Sequence, residues 1–141
     1  MKVEAQLVHL RVIKNPERRK KLFAEIRSTV DLHLMLEELF VYPFCEKFPR
    51  LASVVDQGRR AHELIRGVMD DLEVIEPESR RYNSLLTQLV INLEKHVISE
   101  EEKLFPAIKK YIDTSEFKRM NREILTKYES EQGRAGGRRA A

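Results

Sequence analysis

Two eleven-residue segments carry the residues best suited to chemistry. One runs from His96 to Pro106 as H-V-I-S-E-E-E-K-L-F-P, and the other, sixty-three residues earlier, runs from His33 to Pro43 as H-L-M-L-E-E-L-F-V-Y-P. Both read His, three residues, Glu-Glu, then an aromatic-proline pair whose proline falls ten residues after the His. On a helix, positions four apart are separated by about 40°, so His33 shares a face with Glu37 and His96 with Glu100. Leu86, Leu89, Leu93 and Leu104 lie on or beside the face of the second pair, and Leu22, Ile26, Val30 and Phe40 or Val41 on that of the first. Imidazoles and carboxylates therefore project towards a core, where an unpaired carboxylate is expensive. Something must compensate that charge.

A third histidine, His62, continues the apolar series Val55, Gly58, Ile65, Met69 and Leu72. Gly58, one turn before it, either leaves room for a neighbouring side chain or ligand or is a small packing residue. An isolated His/Glu pair at this spacing is ordinarily a surface ion pair worth about 0.3–0.5 kcal/mol. A lone core histidine is ordinarily satisfied by a neighbouring hydrogen bond. Five such groups on three helices, all continuing apolar stripes, fit neither description and point to a metal site. Imidazole and carboxylate without thiolate suit iron, manganese or zinc and disfavour copper(I) or an iron–sulfur cluster. Facing helices that supply carboxylates and imidazoles also build dinuclear carboxylate centres. Glu38 and Glu101 lie about 100° further round and are expected to face solvent or a helix flank. Cys45 lies beyond Pro43 and is expected to be inert packing.

The elements that must position these residues follow from the same periodicities. Residues 1–14 read as a short helix with Leu7, Leu10 and Val12 among its apolar residues. Asn15-Pro16-Glu17 then supplies an N-cap, a proline at the first helical position and an early acidic residue. The basic run Arg18-Arg19-Lys20-Lys21 reads as a solvated face. Pro43 and Pro49 bracket the turn out of the second helix, with Pro43 kinking or ending it. A third helix spans about 51–75, and a fourth spans about 79–111 with a kink near Pro106. Asp113-Thr114-Ser115-Glu116 offers a capping box for a short fifth helix bearing Phe117, Met120, Ile124 and Tyr128. The expected architecture is all-α: an up-down four-helix bundle with a short first helix and a short C-terminal helix over residues 1–128. A flexible basic tail is expected over 129–141. The 35% charged and 7% aromatic composition, with no Trp, agrees with a helical bundle.

The segments HLMLEELFVYP and HVISEEEKLFP, with His62 between them, resemble the hemerythrin-like HHE cation-binding family over about residues 1–112. That resemblance implies a four-helix bundle holding a non-haem, usually di-iron, centre. It implies Glu37 and Glu100 as bridges and His33, His62 and His96 as terminal ligands. The family's first histidine, on helix one, has no evident counterpart. His9 is only about 9 Å along the axis from the turn at Asn15, whereas His33 is about 27 Å from it, so His9 is expected to be a core or boundary residue. The sixty-three-residue offset applied to His62 places its equivalent at position −1. The expectation is that the first helix stops short of its ligand: either the true start lies further upstream, or one metal position lacks that ligand.

These readings favour an iron protein that binds or senses dioxygen, nitric oxide, peroxide or redox and iron status. The competing reading is a metal-free, degenerate helical bundle that acts as an interaction module. Family members also assist repair of iron–sulfur clusters, and peroxide reduction or ferrous oxidation would be the enzymatic versions. No residue identifies a substrate pocket, so a binding protein is favoured over an enzyme. No segment reads as a signal peptide or an eighteen-residue apolar run, and a single cysteine fits a reducing compartment, so a cytoplasmic location is expected. The net charge of +3, concentrated near Arg134, Arg138 and Arg139, is a weak argument for nucleic acid, which is not an expected partner.

Overall fold

The computed structural model describes the backbone of residues 2–140 and the side chains of residues 3–133. Helix α1 spans Lys2–Val12. Helix α2 (16–45) joins Pro16–Leu36, a π-helical turn at Glu37–Val41, and Tyr42–Cys45. A 3-10 turn, Pro49–Leu51, leads into α3 (Ala52–Val74). Helix α4 (80–111) joins Arg80–Ser99, a second π turn at Glu100–Leu104, and Phe105–Tyr111. Helix α5 covers Thr114–Ala140. No strand occurs among the described residues.

The helix starts obey the local chemistry. Asn15 Oδ1 accepts the Arg18 N–H at 3.1 Å, with Pro16 directly after the cap. Ser79 Oγ accepts from the Arg81 N–H at 3.2 Å, and Asp113 Oδ1 accepts from the Ser115 N–H at 2.8 Å. At Pro43, where a kink or an end is expected, α2 continues to Cys45, and α4 runs past Pro106 to Tyr111 as expected. In a regular α-helix a proline ring collides with the carbonyl four residues back. Here each proline follows the residue that closes a π turn, Tyr42 N–H to Glu37 O and Phe105 N–H to Glu100 O. The extra residue in that turn widens the helix where the ring must fit.

Two apolar clusters fill the bundle. The first contains Leu7 and Leu10 from α1, Phe23 to Leu34 from α2, Ile65 to Leu72 from α3, and Tyr82 to Leu93 from α4. The second contains Val41, Tyr42, Cys45, Leu51, Val55, Leu104, Ile108, Ile112 and Met120. Helices α2 and α4 run from the first cluster to the second and α3 runs back, which is the up-down arrangement. Along each of these helices the polar residues Glu37, His62, His96 and Glu100 lie between the clusters. The buried side chains of α1 belong to the first cluster, so among the described residues α1 adds nothing at the level between them. The C-terminal helix brings Met120, with Phe117 and Ile124, onto the second cluster. Its helical backbone runs on through the segment read as a tail, and side chains beyond 133 lie outside the described residues.

Within the basic run, Arg19 is not simply solvated. Its Nη1 donates to the Pro77 carbonyl at 2.6 Å, its Nε donates to the Ile13 carbonyl, and its guanidinium lies 5.0 Å from the Tyr82 ring centroid. It ties the α1–α2 turn to the α3–α4 turn. Hydrogen bonds made by charged groups contribute about 1.5–3 kcal/mol, whereas exposed neighbours contribute within about 0.5. In urea unfolding, Arg19→Ala is expected to lose about 1–3 kcal/mol and Lys20→Ala almost nothing. Equal effects would mean that the bridge adds no stability.

Candidate metal centre

Between the clusters the helices bring all five expected residues together. Glu37, His62, His96 and Glu100 are buried, with relative exposures of 6%, 1%, 4% and 6%. His33 differs from expectation. Its side chain is 66% exposed at the flank of α2, while Leu34 and Leu36 turn inward. It still reaches the centre, with Nε2 3.0 Å from Glu37 Oε1. His96 Nε2 lies 3.1 Å from Glu100 Oε1 and 3.5 Å from Glu37 Oε1. His62 Nε2 lies 3.8 Å from Glu37 Oε2 and 3.1 Å from His96 Nε2.

Despite these ion-pair distances, neither oxygen of Glu37 nor Oε2 of Glu100, all buried, accepts a well-aligned hydrogen bond. Buried, unmatched acceptors each cost about 1–3 kcal/mol, more when charged. Two imidazole nitrogens at 3.1 Å require a proton or a cation between their lone pairs. Ligand atoms held about 2.0–2.2 Å from one ion stand roughly 3 Å apart, the spacing found here. Two triads meet this description: Glu37, His62 and His96, all buried, and His33, Glu37 and Glu100, open at His33. Within each triad, one donor atom per residue lies within 4.8 Å of the others. The residues fit a cation at either position, and the two positions share Glu37.

The ionisation balance points the same way. Burial opposes ionisation of Glu37, but His33, His96 and Glu100 outweigh it and hold Glu37 below the usual carboxylate range. Burial, then the neighbouring Glu37, pushes Glu100 well above it. Without a cation, the pair therefore retains a proton. Burial lowers the basicity of His62, which keeps its ring neutral and able to ligate.

Three contributors were not legible as functional residues. Glu38, expected at a solvent-facing flank, accepts a hydrogen bond from His62 Nδ1 at 2.8 Å. It also binds Arg66 through both guanidinium nitrogens, at 2.5 and 2.9 Å. A carboxylate on the far nitrogen fixes the tautomer and presents Nε2 to the centre. Arg66 stands four residues after His62, the one sequence signal for this network. Tyr42 is fully buried, with its hydroxyl 3.1 Å from His62 Nε2. Burial, then the charges of Glu37 and Glu100, pushes its phenol far above its ordinary value. Gly58 explains how the ring fits: a Cβ there would lie 2.7 Å from Tyr42 Cζ and overlap the hydroxyl.

The remaining expectations sort simply. Glu101 is exposed. His9 is exposed rather than core or boundary, and it joins neither triad. Cys45 is buried, with its thiol pushed up to about 11 by burial and then by Glu46, as suits a packing residue.

An up-down helical bundle with a buried imidazole–carboxylate cage between its apolar layers defines a class of helical cation-binding domains. The chain belongs to the hemerythrin HHE cation-binding domain family, whose sequence profile matches residues 2–108. That span includes every residue of both triads and excludes α5. The chain is similar to an uncharacterized hemerythrin-like protein of Schizosaccharomyces pombe, at 24% identity over 86 residues. The similarity covers 60% of this chain and 42% of that relative, so it spans less than half of the relative's length. No solved structure matches.

Loss of a carboxylate that orients a ligand histidine typically weakens metal binding about 10–100-fold. Glu38→Gln is therefore expected to weaken binding by that factor in a competition titration against a chromophoric chelator. Glu101→Gln is expected to leave it unchanged. Wild-type affinity in Glu38→Gln would remove Glu38 from the centre.

Proposed function

We propose that this domain holds non-haem iron at two adjacent positions, one at Glu37, His62 and His96 and one at His33, Glu37 and Glu100. In this reading the bound iron binds or senses a small oxidant: dioxygen, nitric oxide or peroxide. One observation carries the proposal: three buried carboxylate oxygens that accept no well-aligned hydrogen bond stand among three imidazole Nε2 atoms. A polar core kept without metal must hold a proton on the carboxylate pair and still lacks aligned donors for its other oxygens, which disfavours the metal-free interaction module. Mixed nitrogen and oxygen donors suit iron, with manganese and zinc as weaker competitors. Iron would supply the redox-active electrons that such oxidants engage.

The chain's own residues set access and orientation. His33, on the exposed flank, leaves its position reachable from solvent, while the other triad is enclosed. A groove between α3 and α4, lined by Ala61, Leu64, Asn92 and Ser99, borders His96, which is itself buried. Glu38 and Arg66 hold the ring of His62, so one imidazole stays fixed whatever occupies the open side. No helix among the described residues is long and apolar enough to cross a membrane. A cytoplasmic setting, which would keep Cys45 reduced and supply ferrous iron, accords with this reading.

The test is anaerobic loading with ferrous iron, elemental analysis, and optical spectra after separate addition of dioxygen, nitric oxide and peroxide. The expected result is stoichiometric iron and a spectral change with at least one of the three. A protein that takes up no iron, aerobically or anaerobically, contradicts the iron reading. Stoichiometric iron that responds to none of the three contradicts the sensing.

A further inference from the structure

Tyr42 sits where a packing aromatic would not need a hydroxyl. It is 0% exposed, within a cluster of Val41, Cys45, Leu51, Val55, Leu104 and Ile108. A phenylalanine would fill that volume without bringing a polar atom that must be partnered. The hydroxyl instead points out of the cluster to His62 Nε2 at 3.1 Å. That nitrogen is also 3.1 Å from His96 Nε2 and 3.8 Å from Glu37 Oε2. The phenolic oxygen therefore stands from His62 at the roughly 3 Å separation expected of two ligands on one ion. Gly58 is the complementary feature, since any Cβ there would displace the phenol.

The internal repeat supplies a contrast. Sixty-three residues after Tyr42, in the same place before the second proline, stands Phe105. It has no hydroxyl and is 44% exposed. One half of the repeat thus carries a phenolic oxygen five residues after its glutamate and the other half does not.

We propose that Tyr42 is a fourth ligand, through its phenolic oxygen, to iron held by Glu37, His62 and His96. This rests on the iron-binding reading above and adds that the two positions are chemically unequal. The enclosed position has two imidazoles, a carboxylate and a phenolate. The flank position has one imidazole and carboxylates, with no phenolate. Coordination of ferric iron forms an iron–oxygen bond, breaks the phenol O–H bond and releases that proton to solvent, with the oxidation state unchanged. A hard, anionic oxygen donor favours ferric over ferrous iron at this position.

The experiment compares wild type, Tyr42→Phe and Gly58→Ala after ferric loading, by elemental iron, visible absorption and resonance Raman spectroscopy. Wild type is expected to show a visible phenolate-to-iron(III) charge-transfer band with tyrosine ring modes enhanced in resonance. Tyr42→Phe is expected to keep iron at the enclosed position and lose the band completely. Gly58→Ala, which retains the phenol but fills its notch, is expected to weaken or lose the band. Iron-loaded wild type without the band overturns the assignment and leaves Tyr42 as a hydrogen-bond donor to His62. A band that persists in Tyr42→Phe overturns it in favour of another tyrosine. Wild type that takes up no iron overturns the iron-binding reading itself, and elemental analysis distinguishes that outcome from the other two.

Discussion

Glu37 and Glu100 project from different helices into the same dry space between two apolar clusters. Like charges this close cannot both ionise in a poorly polarisable interior without a counter-charge. The imidazoles of His33 and His96 favour one ionised carboxylate, Glu37, at the expense of the other. A cation between them would remove the conflict and would take their oxygens as ligands. The other polar groups of the centre follow from that need. Glu38, itself held by Arg66, accepts the proton on the far side of the His62 ring, so the lone pair of Nε2 would face such a cation.

The backbone is adapted at the same two places. Both glutamates open a π turn, and the N–H of each is shared between two carbonyls, His33 and Leu34 for Glu37, His96 and Val97 for Glu100. A π turn spends one more residue than an α turn, which lets the glutamate and the residues after it both face inward. Val41, Tyr42 and Cys45 are buried at or after the end of the first turn, and Leu104 and Ile108 at or after the end of the second. Such turns concentrate at functional sites because they cost helix stability that packing must offset. Here they also accommodate Pro43 and Pro106, so the aromatic-proline pair and the buried glutamate are parts of one device.

Much of the architecture was legible because amphipathic stripes are long and regular. The face of α3, Val55, His62, Ile65, Met69 and Leu72, is buried as its spacing requires. Asn15, Ser79 and Asp113 mark helix starts through short-range hydrogen bonds that depend little on the rest of the fold. The misses share a cause: they depend on which helix lies alongside. Periodicity places Glu38 about 100° from Glu37 but says nothing of Arg66 on the neighbouring helix. It cannot separate the centre of a stripe from its edge, so His33 was read as inward although it lies on the flank. Tyr42 was hidden because a proline at 43 reads as a helix end, and only the π turn makes the helix continue. Arg19 was hidden inside a charge run whose average character is solvated.

The central claim is that a cation, rather than the protein alone, balances the buried carboxylate pair. Thermal unfolding of wild type and Glu100→Gln, each chelated and each with excess metal, tests it most directly. Bound metal at a hundredfold excess over its dissociation constant stabilises by about 2.7 kcal/mol, on the order of 5–15 °C for a domain of this size. That rise is expected for wild type, and a smaller one for Glu100→Gln, which loses a donor of the flank position and keeps the enclosed triad of Glu37, His62 and His96. The chelated variant is expected to be at least as stable as chelated wild type, because a neutral amide can donate to Glu37 in place of the proton the carboxyl pair must otherwise retain. A wild type whose midpoint ignores metal, with a chelated Glu100→Gln that is several degrees less stable, would contradict it.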